Sequence, residues 1–221
     1  LAVSVPEIHG RLRRHMVRVP EVIHQVGGIR IFGKLIRSLL FSTDVAIIRN
    51  CNADAVIAVY PFTPQPIITQ SIINASSLPV FCGVGGGTTT GSRVVNLAMD
   101  AEHQGAFGIV VNAPTSNLII RRLERRIDIP VVVTVVSEEE DIRARIEAGA
   151  GILNVSGAAK TPLIVRRIRE QFPDIPIIAT GGPTDESILE TIEAGANAIT
   201  FTPPTTAEIF KGLMQKYRQQ L

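Results

Sequence analysis

One lysine, a scatter of hydroxyls and amides, and two Gly-rich turns are the chemistry-bearing features of this 221-residue chain. Lys160 follows Ala158 and Ala159. With its pKa depressed by apolar neighbours it could form a Schiff base with a carbonyl substrate; otherwise it is a counter-charge to phosphate or carboxylate, or a solvated lysine at a helix start. Gly181-Gly182 and the Thr202 to Thr206 turn each join an apolar run to a helical stretch, where unpaired amides and a positive helix end can meet an anion. Side by side, these turns form a phosphate cup with Thr180 and Thr202 as its hydroxyls. The Gly83 to Gly87 run, with Gly85 and Gly86 at its centre, either holds an oxyanion on successive amides or is only a tight turn. Asn112, Asn154 and Ser156 add neutral donors at other run ends. Asp44 is a first-turn helix charge or a general base.

The chemistry that is missing narrows the choice. His9, His15, His24 and His103 all fall away from these run ends, so neither a Ser-His-Asp arrangement nor a His-ligated metal has a candidate. Acids show no metal spacing, and neither a metal nor a cofactor is expected. Glu138 to Glu140 read as partners of a helix dipole, and Cys82 as a small core residue. Cys51 and Cys82 lack any CxxC or Cys/His spacing, which suits a reducing, cytoplasmic setting. The net charge is +2 with basic and acidic residues interleaved, so no nucleic-acid partner is implied. No apolar run reaches 18 residues, and no membrane partner is implied. A small anionic metabolite remains.

These residues need elements to hold them. From Ile36 onward, β-branched runs alternate with helical stretches, the pattern of βαβ units on a parallel sheet. Eight runs stand out, at 36–41, 55–60, 79–83, 107–112, 130–135, 152–155, 176–180 and 198–201. Helix starts fall near Thr43, Pro64, Thr90, Thr115, Ser137, Thr161, Thr184 and Thr205. Ile-Glu-Ala-Gly-Ala at 146–150 returns at 192–196, and Ile-Pro at 129 returns at 175, so the repeating unit is two βα modules. Four such units predict an α/β fold, a (β/α)₈ TIM barrel at 35–221, with an open doubly wound sheet as the alternative. Residues 1–34 read as an N-terminal helical extension, with Pro6 and Pro20 each opening a short amphipathic helix and Gly27-Gly28 closing the second. Its apolar faces predict a cap or subunit contact, hence a homo-oligomer.

With these motifs in place, the closing segment resembles phosphate-binding barrels. Gly181-Gly182, the Glu-Ala-Gly-Ala lead-in at 193–196 and the hydroxyl-rich last loop are similar to ribulose-phosphate-type barrels, keto-acid phosphate aldolases and glycerol-uptake antiterminators. The whole chain, including STDVAIIRN and VYPFTPQPIITQ, resembles small bacterial barrels that carry only a hydrolase label. The resemblance implies an anion cup and leaves the reaction open: lyase or isomerase chemistry on a phosphorylated or carboxylated metabolite, ligand sensing without turnover, or hydrolysis. In the aldolases the lysine lies within the sixth strand, whereas Lys160 stands beyond it.

Overall fold

The computed structural model describes residues 6, 8, 10–11 and 16–219. Eight parallel strands close into a barrel in chain order: β3 (Ser38–Phe41), β4 (Ala55–Ala58), β5 (Val80–Gly85), β6 (Gly108–Val111), β7 (Val131–Val135), β8 (Ile152–Val155), β9 (Ile177–Thr180) and β10 (Ala198–Phe201), which pairs back to β3. Their composition explains the closure. A strand with a helix layer outside and a packed interior inside is apolar on both faces, and all five residues of Val131–Val135 are buried. Leu39, Ile57, Phe81, Val110, Val132, Ile152 and Ile178 fill the interior, while Leu40, Val56, Ile109, Val133, Leu153, Ile177 and Ile199 pack outward under the helices.

The helices are α1 (Val45–Arg49), α2 (Pro66–Ala75), α3 (Ser92–His103), α4 (Asn117–Glu124), α5 (Ile142–Glu147), α6 (Thr161–Gln171), α7 (Asp185–Glu193) and α8 (Thr206–Gln219). Asp44, Ser116, Asp141 and Thr184 cap four of them through side-chain oxygens that accept first-turn N–H groups. The α5 start lies later than Ser137 because residues 137–140 fold back as a turn, with Glu140 accepting the Val136 N–H at 2.9 Å. The repeated Glu-Ala-Gly-Ala has a mechanical meaning. After α5 and again after α7, Gly149 (φ 108°) and Gly195 (φ 110°) reverse the chain, and the following Ala150 and Ala196 N–H groups reach back to Arg145 and Thr191 carbonyls.

The N-terminal region departs from its reading. Pro20 opens only a 3₁₀ helix, Glu21–Gln25, and residues 29–36 form an antiparallel hairpin, β1 (Ile29–Ile31) with β2 (Lys34–Ile36). Its two turn residues, Phe32 (φ 44°) and Gly33 (φ 81°), both adopt positive φ, the geometry of a tight hairpin turn. Ile29, Ile31 and Ile36 join the interior cluster and stopper the barrel at the N-terminal ends of its strands. The first barrel strand therefore begins at Ser38, after the hairpin. The helix expected from Pro6 falls mainly on residues outside those described.

A Cβ on Gly149 would lie 2.6 Å from Glu124 Cβ, in a left-handed conformation that L-residues avoid at about 1–2 kcal/mol. Gly149→Ala is expected to lower stability by at least that amount in urea unfolding. Gly27→Ala, where nothing lies within 4 Å, should leave it within about 0.5 kcal/mol.

Candidate functional site

With one end closed by apolar side chains, polar side chains gather at the other. Strand side chains alternate in and out, so the interior residues Val110, Val132, Ile152, Ile178 and Ala198 place Asn112, Thr134, Asn154, Thr180 and Thr200 above them on the same inner wall. The register joins them: Thr134 pairs with Asn154, and Thr180 with Thr200. Asn154 Nδ2 donates to Thr134 Oγ1 at 3.3 Å, and Thr180 Oγ1 to Ser156 Oγ at 3.3 Å. Thr200 is 6% exposed and its Oγ1 has no hydrogen-bond partner among the described residues. The top of the barrel is thus a ring of neutral hydroxyls and amides. Asn112, Asn154, Ser156 and Thr180 were legible in the sequence as run-end donors.

Beside this wall lies a cleft of about 370 Å³, between the loop after β4 and the loop after β5. Tyr60, Phe62 and Thr63 form one side, Gly85, Gly87, Thr88 and Thr89 the other, and Val59, Gly83, Val110 and Asn112 the floor. Tyr60 Oη accepts the Gln65 N–H at 2.9 Å, which leaves the phenolic proton to donate. Thr89 Oγ1 donates to Thr63 Oγ1 at 3.3 Å and ties the two loops together. Gly86 is required by close approach: φ is 100°, and a Cβ would lie 2.0 Å from Thr115 Oγ1 and 2.8 Å from Asn112 N. Its N–H closes the turn on Thr89 O at 2.9 Å. The sequence pointed to Gly85, Gly86 and Asn112 separately; that two loops meet around them was not visible in it.

The cup at the last two strands is arranged differently from its reading. Gly181 N–H is bonded to Thr200 O at 3.2 Å. Thr184 and Ser187 close a capping box on the start of α7. At α8, Thr205 N–H and Thr205 Oγ1 both donate to Glu208 Oε2 at 2.8 Å. Those bonds hold Glu208 below the usual carboxylate range, first through the Thr205 backbone; Glu186 is lowered likewise, by a backbone N–H and then Thr184. The chain's own carboxylates therefore sit where an anion was expected. Thr202 is exposed, and the Gly182 N–H has no partner among the described residues.

Asp44 takes the helix role. Its Oδ1 accepts the Ala46 and Ile47 N–H groups at 2.8 and 3.2 Å, and its Oδ2 accepts Thr206 O–H across 162 positions of sequence. The Thr206 bond foremost, and then the helix N–H groups, hold its carboxyl below the ordinary value, partly offset by desolvation. Lys160, with a side chain 70% exposed, pairs with Glu138 at 3.4 Å, and Arg167 reaches the same carboxylate at 2.6 Å. An exposed side chain paired with a carboxylate does not sit in the enclosed apolar surroundings of an imine-forming lysine. Glu138 thus braces the loop after β7 against its neighbours, where the reading had placed it on a helix dipole. Burial pushes the Cys82 thiol up to about 12, which fits a core residue. His24 and His103 lie in the 3₁₀ helix and at the C-terminus of α3. Among the described residues, no group of three or more His, Cys, Asp and Glu is placed to hold a metal ion, and no helix is long and apolar enough to cross a membrane.

No protein-family model and no curated protein sequence matches the chain. Solved structures share its fold. A 2,3-dimethylmalate lyase, described as a PEP mutase/isocitrate lyase superfamily member, superposes with a TM-score of 0.63 at 15% identity over 95% of this chain and 85% of the lyase. The phosphoenolpyruvate phosphomutase of Streptomyces platensis subsp. rosaceus gives 0.62 at 13% identity over 90% and 83%. A phosphonopyruvate hydrolase, in complex with oxalate and Mg++, gives 0.59 at 13% identity over 82% and 79%. At these identities the likeness supports the barrel alone and does not bear on the ribulose-phosphate, aldolase or antiterminator families that the closing segment resembles.

Removing the Asp44 cap by Asp44→Ala is expected to cost about 1 kcal/mol in urea unfolding at neutral pH. Because the folded-state pKa is lowered, this support is full above the unfolded value and fades as pH falls through the folded one. Wild type and variant should therefore converge in stability at the acid end.

Proposed function

We propose that this protein is a cytoplasmic small-molecule enzyme that binds a carboxylated metabolite in the cleft between the β4 and β5 loops and performs lyase or isomerase chemistry beside its carbonyl. The observation that carries the reading is the convergence of Tyr60, Thr63, Thr88, Thr89 and Asn112 on one cleft beside the glycines of the β5 loop. The cleft lining includes no cation. Neutral N–H and O–H donors suit one delocalised negative charge better than a dianionic phosphate, which recruits arginine or lysine. Heterolysis of a bond to the carbon beside a carbonyl leaves the electron pair as an enolate while the other fragment departs as a carbonyl compound whose hydroxyl proton passes to water. The Asn112 amide and Tyr60 hydroxyl, both in the cleft lining, would hydrogen-bond the enolate oxygen. The neighbouring folds span a lyase, a mutase and a hydrolase, so architecture supports a lyase-type enzyme without selecting the bond.

The Mg++ of the phosphonopyruvate hydrolase does not carry over to this donor set. Asp44, Glu138 and Glu140, three acids on the loops that follow β3 and β7, are engaged by an N-cap, by Lys160 and Arg167, and by Arg145 respectively. The chain's own hydroxyls and amides carry the reading instead.

A second reading, ligand sensing without turnover, draws on one observation. Asp44 and Lys160, the groups the sequence offered for proton transfer and covalent chemistry, both have structural partners. The hydrolase reading gains no nucleophile and base pair.

Isothermal titration with a panel of keto and hydroxy carboxylates, followed by turnover assays, separates these readings. Tyr60→Phe and Asn112→Ala are expected to weaken binding roughly tenfold each, the worth of one hydrogen bond, whereas Lys160→Ala stays within about twofold. Carboxylate binding lost only in Lys160→Ala, or borohydride trapping of an adduct at Lys160, would return the site to the imine reading. Binding without product formation across the panel would favour the sensor.

A further inference from the structure

Helix α8 buries none of its 14 residues, unlike every other described α-helix of eight residues or more. Ile209, Phe210, Leu213, Met214 and Tyr217 nevertheless fall on one stripe, with Phe210 60% and Tyr217 55% exposed. A cause lies in the N-terminal segment. Val17 bridges to Cys51 beyond α1, the 3₁₀ helix Glu21–Gln25 lies against α7, and Gly28 N–H bonds Asn197 O. The segment thus crosses the gap between α7 and α1, and Val19, Ile23 and Val26 join the cluster that holds Leu40, Ile199 and Phe201 of β3 and β10. The place on the barrel that α8 would cover is already covered. Among the described residues, an apolar groove of about 680 Å³ lies between α8, α1 and Met16–Val17.

We propose that a second copy of this chain fills that groove, with the two α8 helices packed antiparallel across a two-fold axis. Such an axis brings the same stripe from both copies together and closes both grooves at once. Charge sets the direction. Glu208 lies at the start of α8, and Lys211, Lys216 and Arg218 follow toward its end. Antiparallel pairing sets each Glu208 beside the basic end of the other helix, while parallel pairing would oppose like charges.

Sedimentation velocity on the full chain over a range of concentrations tests this. The expected species has twice the 23.8 kDa chain mass. Phe210→Glu with Leu213→Glu should convert it to a monomer that still unfolds cooperatively, with the midpoint that the wild-type chain shows when diluted to monomer, and Lys216→Glu with Arg218→Glu should weaken association at least tenfold. A monomer at every concentration, a dimer indifferent to the Phe210 and Leu213 pair, or a monomeric chain whose α8 instead binds anionic vesicles would each overturn the proposal.

Discussion

A closed parallel barrel gives every interior strand its hydrogen bonds on both sides, so free backbone and polar side chains are confined to the strand ends. Here the hairpin at residues 29–36 stoppers one end with isoleucines. At the other end the inner wall finishes in polar residues, and what a solute meets there is set by whichever side chains cap that wall. In this chain they are threonines, asparagines and glycines. The reading of function follows from that neutrality.

The same constraint explains how the loops divide. Eight helices begin at this face, and each start presents N–H groups that need partners. At α1, α7 and α8 the partners are internal: Asp44, Thr184 with Ser187, and Glu208. At the β5 loop, Gly85 and Gly86 instead turn the backbone tightly under Thr115 and Asn112 and leave Gly87 and Thr88 facing the cleft. A ligand anion therefore meets competition from glutamate at the last two strands and none from carboxylates lining the β5 loop.

Strand positions were legible because a doubly covered strand must be apolar throughout, and runs such as Val131–Val135 have no other use. The repeat was legible because a helix that ends in a left-handed residue needs glycine at a fixed place, as at Gly149 and Gly195. The hairpin was not. Phe32-Gly33 lacks the Asn-Gly signature of its turn, and Ile36 reads equally well as the start of the next strand. The Thr205-to-Glu208 spacing is itself that of a capping box, so the occupation of the α8 start is written in the sequence, although the reading there rested on the Gly-Gly turn and the hydroxyls alone. What sequence could not supply is the meeting of the β4 and β5 loops, since Thr63 and Thr89 are 26 positions apart and touch through tertiary packing alone.

The central claim is that the anion enters between the β4 and β5 loops and not at the ends of β9 and β10. Amide chemical shifts followed by NMR during titration with a small carboxylate such as oxalate or pyruvate read both places at once. The account predicts saturable shifts at Gly85 to Thr89, Asn112 and Thr63, with Gly182, Thr184 and Thr205 unmoved. Shifts confined to Gly182, Thr184 and Thr205, or none near the β5 loop at saturation, would contradict it.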